Sequence, residues 1–177
     1  MAGPYFKNGL IGAAGLLAAD QLSKWWILNI FNLPEKGSVE ILPFFSLSMV
    51  WNYGISMGIP LGDSLGKWGI IVLTAVISVW VTKWLHDTPK KIEGWGLAMI
   101  LGGAIGNIID RFIHGAVVDF LHFHYAGYNF YVFNVADSAI TIGVALLLID
   151  GLRGGEKGPK NASKAGEGSA SHEGESS

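Results

Sequence analysis

The chain has 177 residues, 50% of them hydrophobic and only 15% charged, with a formal net charge of −2 and a mean hydropathy of +0.40. A soluble domain carries about a quarter charged residues, so this balance excludes an ordinary water-soluble globule and points to an integral membrane protein. The lack of cysteine excludes disulfides, thiol nucleophiles and thiolate metal sites. With no basic patch, nucleic acid is not an expected partner.

Met1 to Asn8 carries one basic residue, Lys7, and an unbroken apolar run follows from Gly9 to Ala19. After Asp20-Gln21-Leu22-Ser23-Lys24 the apolar character resumes at Trp25-Trp26-Ile27-Leu28. A cleavable signal peptide would stop sooner, so a retained first membrane helix over about 8–30 is expected. Residues 33–64 differ in kind. Pro34 and Gly37 break the helix, and Phe45-Ser46-Leu47-Ser48-Met49 alternates with the period of a strand. Phe45, Leu47, Met49 and Trp51 are expected to share one face of a small sheet at the bilayer surface, an ordinary surface loop being the alternative. Further helices are expected over 66–85, 94–113 and 135–152, the third of them about 30 Å long. The segment 114–134 reads as a loop or short helix. From Gly154 the Gly, Ser, Lys and Glu composition predicts a disordered cytoplasmic tail, leaving a single membrane domain over 1–153.

The predicted class is therefore all-α: four transmembrane helices with a small extracytoplasmic β-sheet. One side of this arrangement holds Lys7, Lys83, Lys90, Lys91, Arg153 and the tail lysines, and the other holds Lys24, Lys36, Lys67 and Arg111. The excess marks the first side, with both termini, as cytoplasmic. Asp20 lies thirteen residues past Lys7, about 20 Å along a helix, which puts it in the outer third of the bilayer. Asp110 and Arg111 end the third helix at that level, Asp119 follows in the connection, and Asp137 opens the fourth helix. Four carboxylates thus converge where burial is costly and function is the default reading.

Asp119 and Asp137 are the candidate pair. Two carboxyl groups flanking one water in a poorly solvated site cannot both ionise, so they share a proton. One then activates the water while the other polarises a carbonyl. The structural alternatives are an Asn134 N-cap with Asp137 at its third helical position, and a solvated Asp119. Asp20 and Lys24, four apart, can form an ion pair. Asn107 shares a helical face with Asp110 and Arg111, and Arg111 can clamp an anion or reach for headgroups. Gly102 and Gly106 invite close helix packing. His114, His122 and His124 raise a zinc site, but His122 and His124 share a face only on a strand and no HExxH motif is present. No cofactor is expected. An ion pathway through Asp20, Asp110 and Asp137 is the competing function, and it would need charges spread through the bilayer depth.

Five stretches occur in order: DQLSK (20–24), NYG (52–54), GGAIGNIIDR (102–111), VVDF (117–120) and FNVADSAI (133–140). Together they closely resemble the bacterial lipoprotein signal peptidases, over roughly 18–150. The resemblance implies a four-helix aspartyl endopeptidase of the inner membrane. Such an enzyme removes signal peptides from prolipoproteins just before the diacylglyceryl-modified cysteine. It places the catalytic aspartates on Asp119 and Asp137. The supporting polar residues fall on Asp20, Lys24, Asn52, Gly54, Asn107, Asp110, Arg111 and Asn134. Implied partners are lipid-modified prolipoproteins and membrane lipids, with the enzyme a monomer. After Asn52-Tyr53-Gly54 the family usually shows two alanines and a phenylalanine, whereas this chain reads Ile55-Ser56-Met57.

Overall fold

The computed structural model describes residues 2–54 and 63–154. In chain order it contains α1 (Phe6–Trp25), a π-helical turn (Trp26–Ile30), α2 (Leu33–Lys36), β1 (Ser38–Leu42) and β2 (Phe45–Asn52). Then come α3 (Asp63–Asp87), α4 (Lys91–His114), β3 (Val117–Tyr125), β4 (Tyr128–Asn129) and α5 (Val135–Gly154). The tail and the Ile55-Ser56-Met57 departure lie outside the described residues.

Missing side chains explain why α4 sits between the other long helices. A Cβ on Gly102 would come 2.7 Å from the Ala13 carbonyl oxygen, and one on Gly106 would come 2.5 Å from an Asp20 carboxylate oxygen. The expected small-residue face therefore receives α1. A second face, not singled out in the sequence, receives α5: a Cβ on Gly103 would come 2.5 Å from the Ala136 carbonyl oxygen, and one on Gly96 would come 2.9 Å from that of Gly143. Lipid offers helices no hydrophobic reason to associate, so close backbone approach with dense van der Waals contact takes over. Ala13, Val81, Leu85, Leu97, Ala98 and Leu101 form the core between α1, α3 and α4.

Three helices, Gly66–Asp87, Lys91–His114 and Val135–Arg153, are long and apolar enough to cross a membrane. Their outer faces stay apolar: Val72, Leu73, Val76, Val79 and Trp80 on α3, and Ile142, Leu148 and Leu152 on α5, are exposed. In water that surface would drive aggregation; against acyl chains it is the expected exterior. The first helix with its π turn is of comparable length, but Asp20, Gln21 and Lys24 interrupt its apolar run.

The connection between α4 and α5 corrects the sequence reading. It is neither a loop nor a short helix but the antiparallel pair β3–β4, and the sheet runs β1-β2-β3-β4. Gly115, at φ +80°, takes the left-handed conformation that ends α4, and β3 begins two residues later. Residues 117–120 are all buried, so no wet face leaves the alternation by which a strand is recognised.

A second correction concerns β2. Phe45 pairs with Phe123 and Leu47 with Leu121, but an irregularity follows and Val50 pairs with Asp119, Trp51 with Val118 and Asn52 with Val117. Three residues of β2 advance against two of β3, so the side-chain alternation flips. Trp51 thereby leaves the face of Phe45 and Leu47. Asn52, which an unbroken strand would turn away, joins the face that carries Asp119. Below the sheet, Ile27, Leu33, Val118 and Phe120 form a second core.

Gly103→Val should lower the thermal midpoint in detergent by an amount equivalent to about 1–3 kcal/mol, the usual cost of overpacking. Gly15→Ala should leave it unchanged or raise it, because a Cβ there meets nothing within 4 Å.

Candidate active site

Near the C-terminal ends of α1 and α4 the buried charges organise the chain around them. Lys24 is 3% exposed, Asp20 0% and Asp110 2%. The Lys24 Nζ lies 2.8 Å from Asp20 Oδ2 and 2.7 Å from Asp110 Oδ2. The expected Asp20–Lys24 pair is thus half of a carboxylate–ammonium–carboxylate triad. Each carboxylate also holds a backbone. Asp20 Oδ1 accepts the Ala136 N–H at 2.9 Å, one of the free donors opening α5. Asp110 Oδ2 accepts the Val118 N–H at 3.1 Å, at the start of β3. One acid anchors the segment that carries Asp137, and the other anchors the segment that carries Asp119. Gln21, passed over in the sequence, ties the two: its amide donates to Asp20 Oδ2 at 3.2 Å and to Asp110 Oδ1 at 3.0 Å.

Three asparagines aim their amides at the pair, each held in orientation by a second bond. Asn134 donates from Nδ2 to Asp119 Oδ1 at 2.7 Å, while its Oδ1 accepts the Asp137 N–H at 2.9 Å. The Asn134 N–H in turn reaches Asp137 Oδ2 at 3.3 Å. That reciprocal exchange is a capping box, so the structural reading of Asp137 holds, and the same cap brings Asp137 beside Asp119. Asn107 donates to Asp137 Oδ1 at 2.8 Å while its oxygen faces Lys24 Nζ at 3.3 Å, which decides which way the amide points. Asn52 donates to Asp119 Oδ2 at 3.0 Å, and its oxygen accepts the Gly54 N–H at 2.9 Å in an Asx turn.

Asp119 is not a solvated loop residue. It lies on β3 and is 1% exposed, whereas Asp137 is half-buried and keeps an open side. Burial pushes the Asp119 carboxyl up to about 6, with the Asp137 charge acting in the same direction. The Asn52 and Asn134 donors and the Lys24 charge oppose the rise. Asp119 therefore holds a proton more readily than an ordinary carboxylate.

Arg111 donates from Nη1 to the Asn107 carbonyl at 3.2 Å, and its buried Nε has no partner among the described residues. A Cβ on Gly54, at φ +72°, would come 3.1 Å from Arg111 Nη2, so only glycine lets the turn close over the guanidinium. His122 and His124 do share a strand face, their rings 5.5 Å apart. Each is engaged elsewhere: His122 Nδ1 with Ser48 Oγ at 3.2 Å, and His124 Nε2 with Ser46 Oγ at 2.8 Å. His114 lies against Trp51, 5.6 Å between ring centres. Among the described residues, no three His, Asp or Glu side chains form a metal-binding group.

Fold and site together define a helical membrane protein with a carboxylate pair held at one end of its bundle. Residues 12–153 match the family profile of signal peptidase (SPase) II. The chain is 46% identical over 153 residues to the lipoprotein signal peptidase of Rhodopseudomonas palustris, covering 84% of this chain and 93% of that one. It is 44% identical over 149 residues to that of Nitrobacter hamburgensis, covering 81% and 91%. A bacterial membrane enzyme solved by the in meso method at 2.3 Å resolution superposes with a TM-score of 0.76 at 28% identity, covering 93% of this chain and 99% of the other. The chain belongs to the signal peptidase II family, and is accordingly a membrane protease.

Replacing Lys24 by Met strands two buried carboxylates. The variant should lose about 3–5 kcal/mol of stability, read as a lowered midpoint of chemical unfolding in detergent micelles.

Proposed function

We propose that this protein is an aspartyl endopeptidase that removes signal peptides from prolipoproteins by hydrolysis just before the diacylglyceryl-modified cysteine. The observation that carries the reading is the joint anchoring of Asp119 and Asp137, from separate elements, on Asn134. Asp137, with its open side, takes a proton from a water whose oxygen attacks the scissile carbonyl. Asp119, raised toward neutrality, supplies the shared proton to the carbonyl oxygen. As the tetrahedral intermediate collapses, the C–N bond breaks and the pair returns a proton to the departing amine. The amides of Asn52, Asn107 and Asn134 keep both carboxyls in place, so little reorganisation accompanies the chemistry. Arg111, with Gly54 over it, orients the bound peptide.

We read all four long helices as membrane spans, α1 tolerating its charges because Asp20 and Lys24 neutralise each other inside the protein. Lys7, Lys83, Lys90, Lys91 and Arg153 at the opposite end from the carboxylates support a reading with both termini in the cytoplasm of an inner-membrane protein. Exposed Trp25, Trp26, Trp51 and Trp68 support an interfacial belt near the site on the outer side. A lipid-modified cysteine is delivered at that same depth. All the site residues come from one chain, so a monomer suffices. An ion pathway is disfavoured because the buried charges gather at one end instead of spanning the bilayer.

Asp119→Asn and Asp137→Asn should each abolish cleavage of a purified, diacylglyceryl-modified precursor, while the thermal midpoint stays within a few degrees of the parent. Near-normal turnover by either variant rules out the pair.

The pH profile supplies an independent check. Loss of the shared proton inactivates the pair, so kcat/KM should fall as pH rises through the raised pKa. The corresponding limb of kcat should lie at higher pH, because bound substrate displaces water and further disfavours the second charge. Asn52→Leu removes a donor that favours ionised Asp119, so it should move the alkaline limb upward; a downward movement contradicts the assignment.

A further inference from the structure

At the end of the bundle away from the carboxylates, a cavity of about 360 Å³ opens between the starts of α1 and α4. It is lined by Tyr5, Asn8, Gly9, Lys91, Gly94 and Trp95. That is far more room than a water needs, about 30 Å³, and it falls in the range of small-ligand sites, about 300–1,000 Å³. Glycines create it. A Cβ on Gly94 would come 3.1 Å from Tyr5 Cβ, and one on Gly12 would come 2.7 Å from the Trp95 ring, so that indole lies against α1 as a wall.

The two lysines that precede the cavity behave differently. Lys90 is committed to the protein: its Nζ lies 2.8 Å from Asp150 Oδ2 and 3.7 Å from Glu93 Oε2, and the Asp150 carboxylate holds its ammonium above the usual range. Glu93 is further occupied by the Trp84 indole N–H. Lys91 pairs with no acidic side chain within 4.0 Å among the described residues, and it borders the cavity. An ordinary interfacial lysine faces water with nothing beside it. This one stands over a recess lined by Tyr5, Asn8 and Trp95, side chains that each carry an uncharged donor. Lys7, Lys83 and Arg153 add positive charge at the same end of the helices.

We propose that this cavity binds the headgroup of one anionic glycerophospholipid. Lys91 meets the phosphate, Tyr5 and Asn8 hydrogen-bond its oxygens or those of the glycerol, and the Trp95 and Tyr5 rings flank the glycerol and the first acyl carbons. Aromatic rings at headgroup depth and a cation beside a phosphate are each favourable there. The site lies far from Asp119 and Asp137 along the helix axes, so it stands whether or not the catalytic reading does.

The test is thermal unfolding of the purified full-length protein in an uncharged detergent. Dioleoyl phosphatidylglycerol, dioleoyl phosphatidylcholine or soluble glycerol 3-phosphate is added in turn. Phosphatidylglycerol should raise the midpoint saturably, and the other two should not. Lys91→Gln should weaken its apparent affinity roughly fivefold. Asn8→Leu, which keeps the charge but removes a donor and fills the recess, should weaken it as well, while Lys7→Gln should leave it alone. Equal stabilisation by phosphatidylcholine, equal protection by glycerol 3-phosphate, or equal loss in Lys7→Gln and Lys91→Gln overturns the proposal.

Discussion

The ammonium of Lys24, enclosed between the carboxylates of Asp20 and Asp110, is the interaction on which the rest of the site depends. An isolated charge at this depth would be expelled or neutralised. Held together, the three groups satisfy one another, while Asp20 Oδ1 remains for the backbone of α5 and Asp110 Oδ2 accepts the backbone of β3 beside the ammonium. The cost of burying charge becomes a means of register. The bonds of this triad tie the ends of α1, α4, α5 and β3 to one another.

Around that centre, rigidity is achieved by amides. Asn52, Asn107 and Asn134 each present a donor to the carboxylate pair and use the remaining oxygen elsewhere: for Gly54, for Lys24 and for the cap of α5. An asparagine free at its far end could flip and offer oxygen to a carboxylate. These cannot without losing a second bond. The irregularity in β2 belongs to the same design, because it alone turns Asn52 to the Asp119 side of the sheet. The fixed positions of the two carboxylates are a property of pairs of hydrogen bonds.

The exterior obeys a different solvent. Side chains facing outward on α3 and α5 are as apolar as those of a core, and the true interior of the bundle is unusually glycine-rich, with Gly96, Gly102, Gly103, Gly106 and Gly143 at the contacts. Helices packed so closely leave little space for water to reach the triad from below. The raised affinity of Asp119 for its proton comes from the burial of its own carboxyl on β3, against the opposing charge of Lys24.

Much of this was legible along the chain. Apolar runs of membrane length gave the long helices, and the distances between Lys7, Asp20 and Asp110 gave a common depth for the acids, because helical rise is constant whatever the surroundings. Asp20 with Lys24 and Asn134 with Asp137 could be paired from spacing, since helix geometry and capping act within one turn. The strand β3, the flip that redirects Asn52, the role of Gln21 and the bond from Lys24 to Asp110 could not. Each depends on a partner more than sixty residues away, or on burial of both faces, which erases periodicity. The linear chain therefore determined which groups gather at one end of the helices and which local pairs they form. Tertiary structure decided which carboxylates hold Lys24 and the backbone and which face the asparagine amides, because only three-dimensional packing settles how many donors each oxygen receives and how much water remains beside it.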